Sequence, residues 1–375
     1  MIDVAFRILL HDRAKVAVSV LGVAFSVALV LVQVGLFRGL LANATVTIER
    51  ADADVWITSR NTPNVDFPHY FPETYVQRVR SVPGVARADD LLVAYVGMQL
   101  PTGAEETVLV YGLDSPSTWR LPWDIVEGQP EDLRRGRTML LDDSATRRCG
   151  AFRVGEAREM FGQRLEIVGR TRGALSFTTM PIAFTSLSVA QGLEPGQFSG
   201  RTAYILVKLA PGARVDEVVE ELRRRLPYND VHERADWARR TRDYWIVNTG
   251  LGFNMALTVL LGIIVGVTVV SQTLYAATLD HVREFGMLKA IGAENGHIQG
   301  LIALQACFAA VAGFVLGILP VFVLRALARG VGLDLVMTPE LALTVLVAAV
   351  VFCLASSLLT FRRISRIDPA LVFRT

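Results

Sequence analysis

The chain has 375 residues, of which 52% are hydrophobic and 20% are charged, and its formal net charge is +2 at pH 7. With a mean hydropathy of +0.40, this composition excludes a disordered or fibrous chain. The absence of a long basic block argues against a nucleic-acid partner. The three cysteines form neither a disulfide framework nor a metal-ligand spacing.

Four stretches of the sequence contain no Asp, Glu, Lys or Arg. They cover residues 16–37, 244–279, 298–324 and 341–361. About 20 apolar residues are enough to cross a bilayer as a helix, and one charge at mid-bilayer costs about 2.5–3.5 kcal/mol on the insertion scale. The sequence therefore predicts four transmembrane helices, and it makes the lipid bilayer the first partner of this chain.

The N-terminal segment, residues 1–15, is amphipathic and carries basic residues ahead of the first span. A cleaved signal peptide has an apolar core of about 7–15 residues, which is shorter than the charge-free stretch here. We therefore interpret the first span as a retained signal anchor. Residues 16–42 are assigned to transmembrane helix 1 and a stalk that continues it.

Residues 43–232 are predicted to form an α+β domain inserted between the first and second spans. From Asn43 to Asn248 there are 28 acidic and 26 basic residues, so the domain is nearly neutral and no charged ligand funnel is indicated. Turn residues and periodicity predict strands at residues 54–58, 91–100, 107–112 and 204–209, and helices at residues 72–82 and 215–226.

No catalytic pattern emerges from this inserted domain. His69 and His232 stand alone, and the pairs Glu105-Glu106 and Asp142-Asp143 are typical of exposed turns. The sequence contains no Gly-x-Ser-x-Gly, no His-Glu-x-x-His and no Walker A segment. We therefore expect no catalytic site, no metal site and no ATP bound by this chain itself.

Residues 233–279 are assigned to a second stalk and transmembrane helix 2. Aromatic and small residues recur there at helical spacing and run directly into the span: Trp237, Thr241, Tyr244 and Trp245. Tyr and Trp are enriched where a span meets the membrane surface. The pattern predicts a continuous rigid helix from the inserted domain into the second span, with residues 38–50 as its counterpart on the first.

The remaining segments follow in order. Residues 280–297 form a cytoplasmic loop, 298–324 transmembrane helix 3, 325–340 a short periplasmic loop, 341–361 transmembrane helix 4 and 362–375 a cytoplasmic tail. Basic residues mark the cytoplasmic side of a membrane protein. Nine lie on one side: Arg7, Arg13, Lys15, Arg283, Lys289, Arg362, Arg363, Arg366 and Arg374. Both termini are therefore expected in the cytoplasm and the large domain outside it.

Two Gly-x-x-x-Gly pairs lie in the spans, at Gly262/Gly266 and Gly313/Gly317. Small residues at this spacing let two helices approach closely. The sequence leaves open whether these pairs serve contacts within the chain or between two copies.

The cytoplasmic loop carries the most specific string in the sequence. Phe285, Leu288 and Ile291 form an apolar edge of one short helix, which Gly292 is suited to end. An amphipathic turn on the bilayer surface explains these hydrophobic positions. It does not explain the full run Arg-Glu-Phe-Gly-Met-Leu-Lys-Ala-Ile-Gly-Ala.

That run resembles the cytoplasmic loop of FtsX/MacB-type ABC transporter permeases, which read R-E-x-G-x-L-(K/R)-A-(I/L)-G-A between their second and third spans. The tail is similar to the C-terminal signature of the family, I-D-P-x-x-A-L, in a shortened form: Ile367, Asp368, Pro369 and Ala370. Since no ATPase domain is seen in the sequence, the resemblance is strongest to separate, DevC-like permease subunits.

The resemblance implies a non-enzymatic transporter subunit in the inner membrane of a bacterium. Such permeases dimerise and dock a cytoplasmic ABC ATPase, which binds the ATP and magnesium, so this chain needs no cofactor. A periplasmic membrane-fusion adaptor is a further partner in part of the family. The loop would be the coupling helix that contacts the ATPase: Arg283, Glu284, Phe285, Gly286, Met287, Leu288, Lys289, Ala290, Ile291, Gly292, Ala293 and Glu294.

Three functions stay open at this point. The first is export or extraction of a hydrophobic or amphiphilic substrate, driven by ATP hydrolysis on the partner. The second is a mechanical signal transmitter that activates an envelope enzyme without transport. The third is a membrane receptor or scaffold without an ATPase, against which the loop string argues. Lipids, peptides and hydrophobic drugs fit the near-neutral outer domain equally well.

Overall fold

The computed structural model describes residues 13–280, 295–330 and 333–364. The chain divides into two compact units. The membrane unit consists of Met1–Gly39 and Gly252–Thr375, and the sheet domain consists of Leu40–Leu251. The sheet domain is thus inserted between the first span and the other three.

The chain begins, within the described residues, with one long helix, α1 (Arg13–Arg50). The strands of the sheet domain follow: β1 (Val55–Ser59), β2 (Phe71–Pro72), β3 (Val85–Gln99), β4 (Glu105–Leu113), β5 (Ile125–Glu127), β6 (Thr138–Asp142), β7 (Ala157–Met160), β8 (Gln163–Thr171), β9 (Ile182–Ser186), β10 (Arg201–Thr202), β11 (Tyr204–Leu209) and β12 (Asn229–Glu233). Its helices are α2 (Tyr75–Arg80), α3 (Ala145–Cys149), α4 (Leu187–Leu193), α5 (Pro195–Phe198), α6 (Val215–Arg225) and α7 (Arg234–Asp243). A short 3₁₀ helix covers Pro130–Arg134.

Ten strands form one sheet in the order β12-β1-β11-β3-β4-β9-β6-β8-β5, and β7 pairs with β3 and β8. Most pairs are antiparallel, while β4–β9 and β6–β8 are parallel. The strands predicted at 91–100 and 107–112 are confirmed as β3 and β4, which form a hairpin with Gln99 opposite Glu105. The strands predicted at 54–58 and 204–209 are confirmed as β1 and β11.

The centre of the sheet is buried on both faces. Along β3, Leu91 and Val93 enter one apolar cluster while Leu92 and Ala94 enter another, because successive side chains of a strand point to opposite faces. Helix α6 covers a third cluster with one face, which confirms the amphipathic helix predicted from residue 215: Val218, Val219 and Leu222.

The helix predicted at residues 72–82 is shorter than expected. Pro72 belongs to β2, where it lies opposite Arg201, and α2 begins only at Tyr75 after the N-cap residue Thr74. Proline at this position predicts a helix start, but its fixed backbone angle also suits an extended strand at an edge. Pairing with β10 places Pro72 in a strand rather than at the start of a helix.

The membrane unit is built from the long helices of the described residues. Three helices join α1: α8 (Leu251–Asp280), α9 (Asn295–Gly330) and α10 (Pro339–Ile364). Four helices are long and apolar enough to cross a membrane, over Ala14–Arg50, Leu251–Thr273, Gln299–Arg329 and Pro339–Leu358. The fold is therefore an α-helical membrane domain with four spans and an inserted α+β domain, as predicted.

Helix α1 packs between α8 and α9. A Cβ placed on Gly262 would lie 2.9 Å from the Leu29 side chain, and one on Gly313 would lie 2.5 Å from Val23. A Cβ on Gly317 would lie 2.5 Å from the backbone oxygen of Ala24. Both glycine pairs are thus used for contacts within one chain, which answers the question that the sequence left open.

Candidate functional site

The last turns of α1 lie inside the core of the sheet domain. Ala44 and Ile48 are buried, and Ile48 belongs to the same apolar cluster as Trp56. The hydroxyl groups of Thr47 and Tyr111 are hydrogen-bonded at 3.0 Å. The helical stalk predicted over residues 38–50 is confirmed, and a single helix runs from the first span into this core.

Helix α7 packs against the same cluster. Trp237 is fully buried, and its ring stacks on His232 with 4.8 Å between ring centroids. An ion pair at 2.9 Å joins Arg242 of α7 to Glu49 of α1. Two helices, one preceding the sheet and one following it, are therefore held side by side by apolar and ionic contacts.

Aromatic side chains enclose the chain where α7 ends. The rings of Phe177 and Trp245 are stacked with centroids 3.8 Å apart and an interplanar angle of 14°. The ring of Phe67 lies 5.7 Å from Trp245 and 6.0 Å from Tyr244. We call these four residues the aromatic clamp. Ala44 of α1 packs in the same cluster, so the clamp joins both stalks to two loops of the sheet domain.

The helix predicted to continue from residue 233 into the second span is interrupted, so that prediction is wrong. A π-helical turn covers Tyr244–Asn248, and Gly250 has a φ of +71°. This left-handed conformation ends a helix and favours glycine, and α8 begins only at Leu251. The first stalk is thus continuous with its span, while the second contains a joint.

The sequence carried a signal for this joint that the prediction overlooked. Gly250 follows Asn248 and Thr249, and glycine after a helical run is typical of a helix end. The Thr249 hydroxyl donates a hydrogen bond to the carbonyl of Trp245 at 2.5 Å. The unbroken apolar run masked these polar residues, because hydropathy alone does not distinguish a joint from a span.

A buried carboxyl group lies behind the clamp. Asp66 is 3% exposed and accepts a hydrogen bond of 3.4 Å from the backbone N–H of Phe177. The Asn64 side-chain oxygen accepts bonds from the backbone N–H groups of Asp66 and Phe67, at 2.9 and 3.0 Å. Burial raises the pKa of Asp66 to about 7, and the Phe177 N–H offsets part of this shift.

Two other titratable residues singled out in the sequence, His232 and Asp142, have structural roles. Burial lowers the pKa of His232 to about 4, with a further contribution from Arg240, so its ring is neutral near pH 7. Asp142 was assigned to an exposed turn, and this is wrong. It is fully buried, and it accepts bonds from the Thr171 hydroxyl and the Ala174 N–H at 3.1 and 2.8 Å. Within the described ranges, no three His, Cys, Asp or Glu residues could hold a metal ion.

The predicted coupling residues 283–294 and the tail motif at residues 367–370 lie outside the described residues. Their role stays a prediction. The clamp and the burial of Asp66 were not predicted from the sequence, because their contacts join residues far apart in the chain.

We expect an Asp66→Asn variant to be more stable than the wild type at pH 8. The folded pKa of Asp66, about 7, exceeds its ordinary value of about 3.9, so the folded state binds the proton more tightly. This contribution to stability is complete below about pH 4 and is lost as the pH rises through about 7. The difference reaches about 4 kcal/mol at pH 8. Urea unfolding, followed by near-ultraviolet circular dichroism, measures it.

At pH 4 the two proteins should have nearly equal free energies of unfolding, since the carboxyl group is then neutral. Asp90, whose pKa burial raises to about 8, and His232 are present in both proteins, so their contributions cancel in the difference. If the free energy of unfolding depends on pH equally in the wild type and the variant, the raised pKa of Asp66 is contradicted.

The described residues define a multi-span membrane protein with one inserted α+β domain between its first two spans. Family models match nearly the whole of it. The MacB-like periplasmic core domain matches residues 16–225, and the FtsX-like permease C-terminal domain matches residues 255–369. The chain belongs to the FtsX/MacB-type family of ABC transporter permeases, which confirms the resemblance seen in the cytoplasmic loop.

Relatives of similar length are named as permeases. The chain is 24% identical over 379 residues to an uncharacterized ABC transporter permease of Mycobacterium tuberculosis (strain H37Rv), covering 100% of this chain and 99% of the relative. It is 22% identical over 282 residues to an uncharacterized ABC transporter permease of Methanocaldococcus jannaschii, covering 70% of this chain and 69% of the relative. These names describe a transporter subunit, and they imply an ATPase partner.

Two solved structures resemble the sheet domain. One is the periplasmic region of MacB from Actinobacillus actinomycetemcomitans, with a TM-score of 0.38 and 10% identity, covering 50% of this chain and 92% of that one. The other is the extracellular domain of the ABC-type transporter YknZ from Gram-positive bacteria, with a TM-score of 0.36 and 13% identity, covering 48% and 99%.

Proposed function

We propose that this chain is the permease subunit of an ABC exporter that converts ATP hydrolysis on a separate ATPase into movement of the sheet domain. The movement would export or extract a hydrophobic or amphiphilic substrate. The observation that carries the proposal is α1. It spans Arg13–Arg50 without interruption, and its end is buried around Ile48 in the core of the sheet domain.

The ATPase would dock on the loop at residues 280–297, with ATP and magnesium bound by that partner. The apolar edge at Phe285, Leu288 and Ile291 supplies packing, and the flanking charges set the register of the contact. Two copies of the permease would bind two ATPase subunits. Both termini lie in the cytoplasm in this arrangement, and the sheet domain lies outside the inner membrane of the cell.

The unlike stalks support a mechanical role. A continuous helix resists bending and transmits displacement along its axis, while a joint at Gly250 lets the second connection change direction without unfolding α7. The clamp fixes one side of that joint, since Trp245 stacks on Phe177. Helix α1 would thus act as the rigid connection and the second stalk as the flexible one.

The composition of the spans favours an uncharged substrate pathway over an ion relay. Their charge-free stretches contain no Asp, Glu, Lys or Arg, whereas ion pathways through membranes depend on such groups. A substrate drawn from the bilayer needs no charged passage. A periplasmic adaptor would receive it in cells with two membranes.

Nanodiscs that contain the permease and its co-expressed ATPase test this function. We expect ATP with magnesium to transfer a fluorescent phospholipid from the disc to albumin, at a rate that exceeds a control with a non-hydrolysable ATP analogue. An ATP-dependent change in hydrogen exchange of the sheet domain without lipid transfer would favour the mechanical signal transmitter instead. Absence of a bound ATPase would contradict both the exporter and the signal transmitter, and would favour a membrane receptor or scaffold.

A further inference from the structure

Two loops of the sheet domain supply the rings that pack on Trp245 in the aromatic clamp. The first clamp loop, residues 60–70, connects β1 to β2 and carries Phe67. The second clamp loop, residues 172–181, connects β8 to β9 and carries Phe177. The ring centroid of Trp245 lies 5.7 Å from that of Phe67 and 3.8 Å from that of Phe177. The second stalk is therefore held by both loops.

The side chain of Asp66 joins the two clamp loops. Asp66 precedes Phe67 in the first loop, and its Oδ2 accepts the hydrogen bond from the backbone N–H of Phe177 in the second. Because Asp66 is buried, water reaches its carboxyl group only when the packing around it opens. Loops open locally at a lower cost than the strands of a sheet core. Hydration of this carboxyl group therefore moves a loop that carries a ring of the clamp.

The second clamp loop has a strained backbone beside this contact. Thr179 has a φ of +58°, which is an outlier for a β-branched residue. The N–H of Ser176 donates to the carbonyl of Met180 at 3.0 Å, and the N–H of Met180 donates to the Ser176 hydroxyl at 3.2 Å. A backbone in such a conformation persists only where its surroundings hold it. Loss of the Asp66 contact therefore favours movement of this loop.

The groups that face Asp66 do not compensate a charge on it. The neighbouring strands present phenol hydroxyls: Tyr95 on β3, Tyr111 on β4 and Tyr204 on β11. Burial raises the pKa of all three, and the charge of Asp66 raises them further, so they are neutral near pH 7. The Tyr111 hydroxyl is hydrogen-bonded to Thr47 of α1. Among the described residues, no charged side chain contributes to the pKa of Asp66.

An ionised Asp66 is for this reason more stable in an open clamp than in a closed one. In an open clamp the carboxylate is hydrated and has its ordinary pKa of about 3.9. In the closed clamp burial raises this pKa to about 7. The closed clamp thus binds the proton more tightly, and its stability relative to the open clamp falls as the pH rises from about 4 to about 7.

We propose that Asp66 is a pH-dependent switch of the aromatic clamp, which keeps the two clamp loops together on Trp245 when it is protonated and opens them when it is ionised. The joint at Gly250 is thereby held at acidic pH and released at alkaline pH. All of these residues belong to the sheet domain. The switch therefore does not depend on the ATPase or on the proposed export function.

Hydrogen exchange of the full chain in nanodiscs, without an ATPase, tests the switch. The amides of residues 176–180 and of Tyr244–Asn248 are followed in the wild type and in Asp66→Asn, which keeps an acceptor for the Phe177 N–H but does not ionise. Both proteins are measured at the same pH, so the intrinsic exchange rate cancels in their ratio. Between pH 5.5 and pH 8.5, the exchange rate of the wild type relative to the variant should rise about thirtyfold.

His69→Asn is the matched control in the first clamp loop. His69 is exposed, and an imidazole can also titrate in this range of pH. The control should keep the pH dependence of the wild type. Loss of that dependence in His69→Asn would assign the switch to the imidazole and overturn the proposal.

An exchange ratio that does not change with pH would also overturn the proposal. So would clamp amides as well protected as those of β3 and β4 at pH 8.5, because the clamp would then open only when the whole domain unfolds. Should Asp66→Asn not fold, acrylamide quenching of Trp245 is measured as the difference between the wild type and Trp245→Phe. It should increase over the same range of pH, and unchanged quenching would contradict the switch. No substrate is present, so failure here is distinct from failure of the exporter assay.

Discussion

Replacing Leu288 or Ile291 with Asp is expected to abolish binding of the ATPase while membrane insertion continues. Both residues lie on the apolar edge of the predicted coupling helix. A carboxylate there must be desolvated when the ATPase docks, a cost that the wild-type apolar side chain does not have. To move a two-state switch from 1:99 to 99:1, ATPase binding must discriminate the states by about 5.5 kcal/mol. Replacing Leu288 or Ile291 removes apolar packing from the predicted interface and so lowers the free energy of ATPase binding. Co-purification on a tagged permease measures it.

Glu294→Gln is the matched control in the same loop. It removes a charge at the predicted rim, and rim charges affect association rate and salt dependence more than they affect affinity. ATPase recovery should therefore stay near the wild-type level at moderate salt. Full ATPase recovery with Leu288→Asp and Ile291→Asp, in protein that elutes normally on gel filtration, would remove the loop from the coupling interface.

Replacing Trp245 with Ala is expected to release the second stalk from the sheet domain. The indole is 5% exposed and stacks on Phe177, and removing a buried aromatic ring costs about 3–5 kcal/mol. Amide hydrogen exchange should rise across Tyr244–Asn248, and ATP-driven lipid transfer should fall to the level without ATP. ATPase binding should persist, because the predicted docking loop lies in a different part of the chain.

Tyr228→Ala serves as the control for this variant. Its ring is 73% exposed, so its removal should change the free energy of unfolding by less than about 0.5 kcal/mol. If Trp245→Ala leaves both hydrogen exchange and lipid transfer at wild-type levels, the clamp does not hold the joint.

The spans and most strands were predictable because each depends on a local pattern. Charge-free length located the four spans, and alternation around Pro101-Thr102-Gly103 located the β3–β4 hairpin. The second stalk shows where local patterns fail. Its charge-free run passes through the joint at Gly250, and charge-free length alone does not register Asn248 and Thr249, the polar residues before that glycine that signal a helix end.

The candidate site was less predictable than the fold, because its contacts join distant parts of the chain. Asp66 meets Phe177 across more than a hundred residues, and its burial follows from the sheet order rather than from its neighbours in sequence. The error at Asp142 has the same origin. An Asp pair after a strand resembles a turn, but the loop that follows β8 closes over it and supplies the Ala174 N–H. The coupling loop, in contrast, could be predicted from the sequence alone, because its run of residues resembles a family motif.

The central position of α1 has a consequence for how the protein is made. This helix is synthesised first, yet the residues that pack on it, such as Gly262 and Gly313, follow more than two hundred residues later. Contacts between residues so distant in sequence form late, because a long loop must close before they are gained. The residues of α1 are therefore all synthesised before the residues of α8 and α9 that pack on them.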